Sequence, residues 1–420
     1  MRMECVVCIN ILCIKRWKHR AYTALINWKV IMKSTQLNSW LLASAVVVLG
    51  VFVSVTNMES SSEQNPDTKN IAASKETVQG KWISELNGDA MLDPQTSGLK
   101  HWRGKLLSIS DASADSSQQK QLHLIDPNSA VLEPEVMQIS LSDELQQGCF
   151  ADYLSGEPDY EALAVNPNND NEIIIVTEDA TRGAGLSKEC MQRFNNSGST
   201  DYPTLLVRLV VKDNNMVEAT HIRPLQFAPE FNVGDFPNDG IEGLAFGQNN
   251  QLYLGLEKDK NKNARIFSVQ INEDFWNTED FAKVSDPELL LPEHTSGNHP
   301  INGMDYLAVN GKSGYLIAAA RNDSQLWIID LAKKQPTKII DLTFLAPTDV
   351  SNGSCDVWDK MDNASIEGLG IIGDTIWMVN DPWKRNYMKN VACPSNEAKF
   401  KTMSPLLFSM PVSKLSITSL

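Results

Sequence analysis

Ile241-Glu242-Gly243-Leu244-Ala245-Phe246, a turn, and then Leu252-Tyr253-Leu254-Gly255-Leu256-Glu257 read as one β-hairpin. Its polar residues Glu242 and Glu257 stand 15 positions apart. A hairpin of that length runs out and back, so both carboxylates lie at the same end. The pattern occurs four more times. Ser97-Gly98-Leu99, Glu161-Ala162-Leu163, Asn302-Gly303-Met304 and Glu367-Gly368-Leu369 each open a similar pair of apolar runs. The second runs end at Asp111, Glu178, Arg321 and Asp381, which gives spacings of 14, 17, 19 and 14.

The opening phrases follow one another at intervals of 64, 81, 60 and 65 residues. Further short β-rich runs fill the intervals, among them Leu205–Val211, Ile266–Ile271, Leu326–Ile329 and Leu406–Met410. Units of about four antiparallel strands repeating at this period indicate an all-β fold, a β-propeller of four-stranded blades. A β-sandwich would not require the first strand of every unit to open on the same phrase. In a propeller that strand lines the axial channel, where converging backbones need small residues.

The phrases around Glu242 and at Ser365-Ile-Glu-Gly-Leu-Gly-Ile371, with Thr96-Ser-Gly-Leu99 and Leu106-Leu-Ser-Ile-Ser-Asp111, resemble the phytase-like family. This family is also called the esterase-like-activity-of-phytase domain. The resemblance spans roughly residues 90–415 and implies six blades, calcium dependence and hydrolysis of a phosphoester or related substrate. Five repeats are visible. A sixth blade is favoured, to be found between residues 178 and 242 or completed by the segment near Trp82.

The chain has 420 residues and a formal charge of −15. Residues 1–57 hold seven Lys/Arg and a single acid, leaving 30 bases against 51 acids, net −21, in the remainder. So acidic a body repels nucleic acid and anionic membranes and favours cations. Within the basic segment, Trp40–Val55 carries no charge and fits a signal peptide or a short membrane anchor. Met32 is a plausible alternative start. Residues 58–78 read as a disordered linker and 79–420 as the propeller, held outside the cytoplasm and touching a membrane only through the N-terminal segment. Cys149, Cys190, Cys355 and Cys393 make an even count in this body; Cys149–Cys190 and Cys355–Cys393 are the favoured disulfides.

Two rings of polar residues would therefore line one channel mouth. The first holds Ser97, Glu161, Glu242, Asn302 and Glu367; the second holds Asp111, Glu178, Glu257, Arg321 and Asp381. Oxygen donors without cysteine or histidine suit a hard cation, Ca²⁺ before Mg²⁺ or Mn²⁺. The expected ligands are Glu161, Glu242, Glu367, Asp111, Glu257 and Asp381. Arg321 is expected to clamp an anionic group or to neutralise a neighbouring acid. His299, with His294 close by in sequence, is the candidate general acid or base. No Gly-x-Ser-x-Gly elbow or HExxH occurs, and Gly311-Lys312-Ser313 lacks the first glycine of a phosphate loop. The expected function is a cation-dependent hydrolase of a small phosphorylated, ester or lactone substrate. The alternative is a non-catalytic propeller that binds a protein or glycan around a structural calcium.

Overall fold

Glu172-Ile-Ile-Ile-Val-Thr177 shows how the apolar runs become a blade. Side chains alternate along a strand, so Ile173 and Ile175 face one neighbour while Ile174 and Val176 face the other. The two pairs fall into separate apolar layers, and all four residues are fully buried. A strand covered on both faces reads as a continuous hydrophobic run.

The computed structural model describes residues 74–178, 185–212, 215–235, 240–350 and 355–417. They form an all-β propeller. Blade I comprises β2 (Thr96–Trp102), β3 (Lys105–Ser110), β4 (Gln121–Ile125) and β5 (Met137–Leu141). Blade II comprises β6 (Tyr160–Val165), β7 (Glu172–Thr177), β8 (Leu205–Val211) and β9 (Val217–Gln226). In blade III, β10 (Ile241–Phe246), β11 (Gln251–Leu256) and β12 (Arg265–Gln270) form a three-stranded sheet, extended by a bridge between Ser268 and Ser285. The short β13 (Ala282–Lys283) pairs instead with β9. Blade IV comprises β14 (Ile301–Leu307), β15 (Tyr315–Ala320), β16 (Gln325–Asp330) and β17 (Lys338–Pro347), with β18 (Trp358–Met361) on its edge. Blade V comprises β19 (Ile366–Ile372), β20 (Thr375–Asn380), β21 (Leu406–Pro411) and β1 (Ser74–Trp82).

The inner strands β2, β6, β10, β14 and β19 are successive neighbours, and β19 returns to β2. Five apolar layers lie between neighbouring blades, one per junction. The described chain is thus five-bladed, and the count of six implied by the family resemblance gives way to five. The interval between residues 178 and 242 holds β8, β9 and a helix at Lys188–Arg193, which complete and decorate blade II. The segment near Trp82 does complete a blade, the fifth. Its first half pairs in parallel with β17 of blade IV, and Gly80–Trp82 pairs antiparallel with β21 of blade V. Strand β1 thereby takes in Ser74–Val78, which composition alone places in the linker.

Close approach at the axis explains the small residues in the repeated phrase. A Cβ on Gly368 would stand 2.7 Å from the Leu99 Cβ and 2.8 Å from the Gly98 carbonyl carbon. Each of the five inner hairpins also carries a register shift within the repeated phrase: it skips the ring residue in blades II, III and V, Asn302 with Gly303 in blade IV, and Gly98 next to the paired Ser97 in blade I. Glu161, Glu242 and Glu367 are the extra, unpaired residues of these bulges. A bulge re-aims a side chain, which is how carboxylates leave otherwise apolar strands to face the axis.

Both favoured disulfides are present, Cys149–Cys190 and Cys355–Cys393. Strand directions put all four cysteines in connections at the mouth end. Such bonds persist in oxidising compartments outside the cytoplasm. No described helix is long and apolar enough to cross a membrane. The apolar run 40–55 lies outside the described residues.

Candidate functional site

One backbone hydrogen bond recurs at the open end of the inner hairpins. The amides of Asp111, Glu178, Glu257 and Asp381 donate to the carbonyls of Gln95, Asp159, Gly240 and Ser365, at 3.1, 2.9, 2.9 and 2.8 Å. Each bond ties the second-ring residue to the strand that carries the first-ring residue. Both rings are brought together at one mouth, as the spacing requires.

The carboxylates there are buried. Glu161, Glu242, Glu367, Glu178, Glu257 and Asp381 are each less than 9% exposed. Burial raises the Glu161 and Glu242 carboxyls well above the usual carboxylate range, and neighbouring charges add to it: Glu242 and Asp159 on Glu161, Glu178 and Glu367 on Glu242. Asp381 is raised in the same way by burial, Glu367 and Asp111. Burial, with the charge of Asp159, pushes the Asp111 carboxyl up to about 7. Glu367 is raised by burial, which Arg321 partly offsets.

Arg321 lies among these acids, bonded to Glu367 and 3.3 Å from Glu257. Burial disfavours its charge, but the surrounding carboxylates outweigh that and hold it protonated. Among the described residues, two lysines near the mouth are engaged as well. Lys384 pairs with Asp93 at 2.9 Å and donates to the Ser113 carbonyl, while Lys258 lies 3.8 Å from Glu257.

Carboxylate oxygens of Asp159, Glu161 and Glu178 all lie within 4.8 Å of one another. Asp159 is new relative to the two rings. It stands two residues before Glu161, where the other blades have Gln95, Gly240, Pro300 and Ser365, so no repeat marks it. This group lies on the Glu161 side of the mouth, whereas Glu367 is taken by Arg321. Buried polar atoms without a partner occur in the same rings: Ser97 Oγ, both amide atoms of Asn302, and Asp381 Oδ1. An all-oxygen donor set with uncommitted buried oxygens fits a hard cation.

His299 does not face the axis as an uncommitted acid–base group. Its Nδ1 is 2.9 Å from both Asp323 carboxylate oxygens and its Nε2 is 2.8 Å from the Ser296 carbonyl. His294 stacks against it. One ion pair inside the channel was not foreseen. Lys100 of β2 donates to the carbonyls of Met304 and Leu369 and lies 3.5 Å from Asp305 of β14. It reaches across β19 and plugs the channel away from the mouth. The visible signal was a lysine inside an inner strand, Lys100 of β2, with an aspartate, Asp305, inside another, β14.

No family model matches the chain, and no curated protein matches it. Solved structures similar to it include the PQQ-bound aldose sugar dehydrogenase of Streptomyces coelicolor, 12% identical, covering 78% of this chain and 96% of that one at a TM-score of 0.35. The major allergen of Malassezia sympodialis is 9% identical, covering 76% and 94%, with a TM-score of 0.40. An α-L-arabinanase of Penicillium chrysogenum is 10% identical, covering 77% and 76%, with a TM-score of 0.34. At these values they say nothing of what this chain does.

Proposed function

We propose that the chain is an exported, phytase-like propeller hydrolase whose channel mouth holds a divalent cation, Ca²⁺ first, and acts on a phosphoester, ester or lactone. The observation that carries this reading is the group of half-buried Asp159 with buried Glu161 and Glu178, inside a mouth with uncommitted oxygens. A cation bound there would polarise a phosphoryl or carbonyl oxygen and acidify a water. Asp159, Glu161 and Glu178 would hold it, and Asp111, whose carboxyl burial and the charge of Asp159 raise in the cation-free mouth, is the neighbouring candidate for giving or taking a proton. In this reading Arg321 is an internal counter-ion that orients Glu367 and Glu257, rather than a clamp for substrate.

A second reading, a non-catalytic propeller that binds a protein or glycan around a structural cation, is favoured by a different observation. Arg321 and His299, the expected anion clamp and acid–base group, are both held in internal pairs. One set of measurements separates the two. Calcium binding is followed by calorimetry, and turnover of generic phosphoester, ester and lactone substrates is assayed with and without chelator. Glu161→Gln and Glu178→Gln should each weaken calcium binding by about tenfold or more, the loss expected for a ligating charge. Calcium binding without turnover leaves the second reading; unchanged affinity in both variants removes the cation site.

A further inference from the structure

Pro292-Glu-His-Thr-Ser-Gly-Asn-His-Pro300 leads into β14 and the mouth residue Asn302, and it is built around two histidines. The His294 and His299 rings stack with centroids 3.5 Å apart and planes 10° apart. Trp327 of β16 continues the stack at 5.8 Å from His294. Both nitrogens of His299 face acceptors, the Asp323 carboxylate and the Ser296 carbonyl. Two donated hydrogen bonds require the charged imidazolium. His294 offers the opposite environment, since its Nε2 is buried and has no hydrogen-bond partner.

Two further contacts show that the segment is shaped to this arrangement. Gly297 adopts φ 100°, and a Cβ there would lie 2.6 Å from the His299 Nε2. Asn322 Nδ2 donates to the Asn298 carbonyl at 3.1 Å. Asn322 and Asp323 belong to the 3₁₀ turn Arg321–Asp323, whose first residue bridges Glu367 and Glu257. The segment is thus strapped to the turn that carries the one arginine of the acidic ring.

We infer that residues 294–299 form an acid-sensitive strap on the rim of blade IV, docked while His299 is charged and His294 neutral, and released when both rings are charged. Two imidazolium rings at this separation repel each other, and a second charge on a buried, unpartnered nitrogen adds a desolvation cost. The charged groups that bear on the pair are Asp323 and the rings themselves. Burial, then the charge of His299, holds His294 below its ordinary value. For His299, burial opposes the charge, but the Ser296 carbonyl and Asp323 outweigh it and raise the group. The depressed group loses its contribution as pH falls below the ordinary histidine range. The raised group loses its contribution as pH climbs through its own value. The docked state is therefore bounded on both sides of the ordinary histidine value. This device regulates the mouth whether or not a cation binds there.

Hydrogen exchange of the full chain, read by mass spectrometry over residues 289–300 and corrected for intrinsic rates, tests it. Between about pH 7 and about pH 5, wild-type protection should fall by about tenfold, while His294→Phe keeps the stack and its protection. Asp323→Asn should lose protection already near neutrality, which keeps the test decisive if the phenylalanine variant fails to fold. A wild-type strap still protected at the acid end overturns the inference. So does loss in His294→Phe at the same pH as in wild type. A parallel loss over residues 240–247 of blade III would assign the effect to the mouth carboxylates and overturn it equally.

Discussion

Asn302 is wholly buried, yet neither atom of its amide has a hydrogen-bond partner. Such a group costs about 1–3 kcal/mol when left unsatisfied, so its retention at the axis needs a polar occupant to offset the loss. Asn302→Leu, similar in size, should raise cation-free stability by about 1 kcal/mol in urea unfolding and reduce the stabilisation that added calcium gives. Equal calcium stabilisation in both proteins would remove Asn302 from the site. At this scale the sequence was informative where a residue repeated. Glu161, Glu242 and Glu367 stand at equivalent positions and do meet at one mouth. Asp159 was missed because its counterparts are Gln95, Gly240, Pro300 and Ser365, and a lone acid before a strand carries no period. His299 looked available because a loop histidine shows its partners only after folding.

Among the strands, legibility followed burial. Strand β7, covered on both faces, is legible from apolar content alone as Ile173–Thr177, one residue short of its observed start at Glu172. Strand β1 was not, because it lies at the outer edge of its blades. Lys75, Thr77 and Gln79 point to solvent while Val78 and Gly80 are buried, so Ser74–Val78 has the composition of a linker. Pairing with β17 and β21 decides its state, and those partners lie some 260 to 330 positions away in sequence. The blade number failed for a related reason: closure of the ring depends on how many layers fit, which no single repeat encodes. The same contrast gives a stability prediction. Ile174→Ala opens the layer between blades II and III and should cost about 2–5 kcal/mol. Lys75→Ala on the exposed face of β1 should stay within about 0.5 kcal/mol. Chemical denaturation measures both, and comparable costs would contradict the two-faced packing of β7.

For the whole molecule, the governing fact is charge placed where the fold is narrowest. Asp111, Glu161, Glu242, Glu367 and Asp381 are all raised by burial first, with mutual repulsion added at Asp111, Glu161, Glu242 and Asp381. The folded state therefore binds more protons than the unfolded chain above the ordinary carboxylate range. Stability must then fall as pH rises from about 4 through the raised values, Asp111 reaching about 7. Lys100 and Asp305 cannot relieve this, since they neutralise each other deeper in the channel. Arg321 compensates only part of it. A bound divalent cation would supply the missing positive charge and remove the need for those protons. Thermal unfolding of the chelated protein should thus show a midpoint that declines between about pH 5 and about pH 8. With millimolar calcium the decline should flatten, and protons should be released on binding near neutrality. A pH profile indifferent to calcium would mean that the ring is satisfied by protons and backbone amides alone, and that the acidic mouth is a structural closure of the propeller.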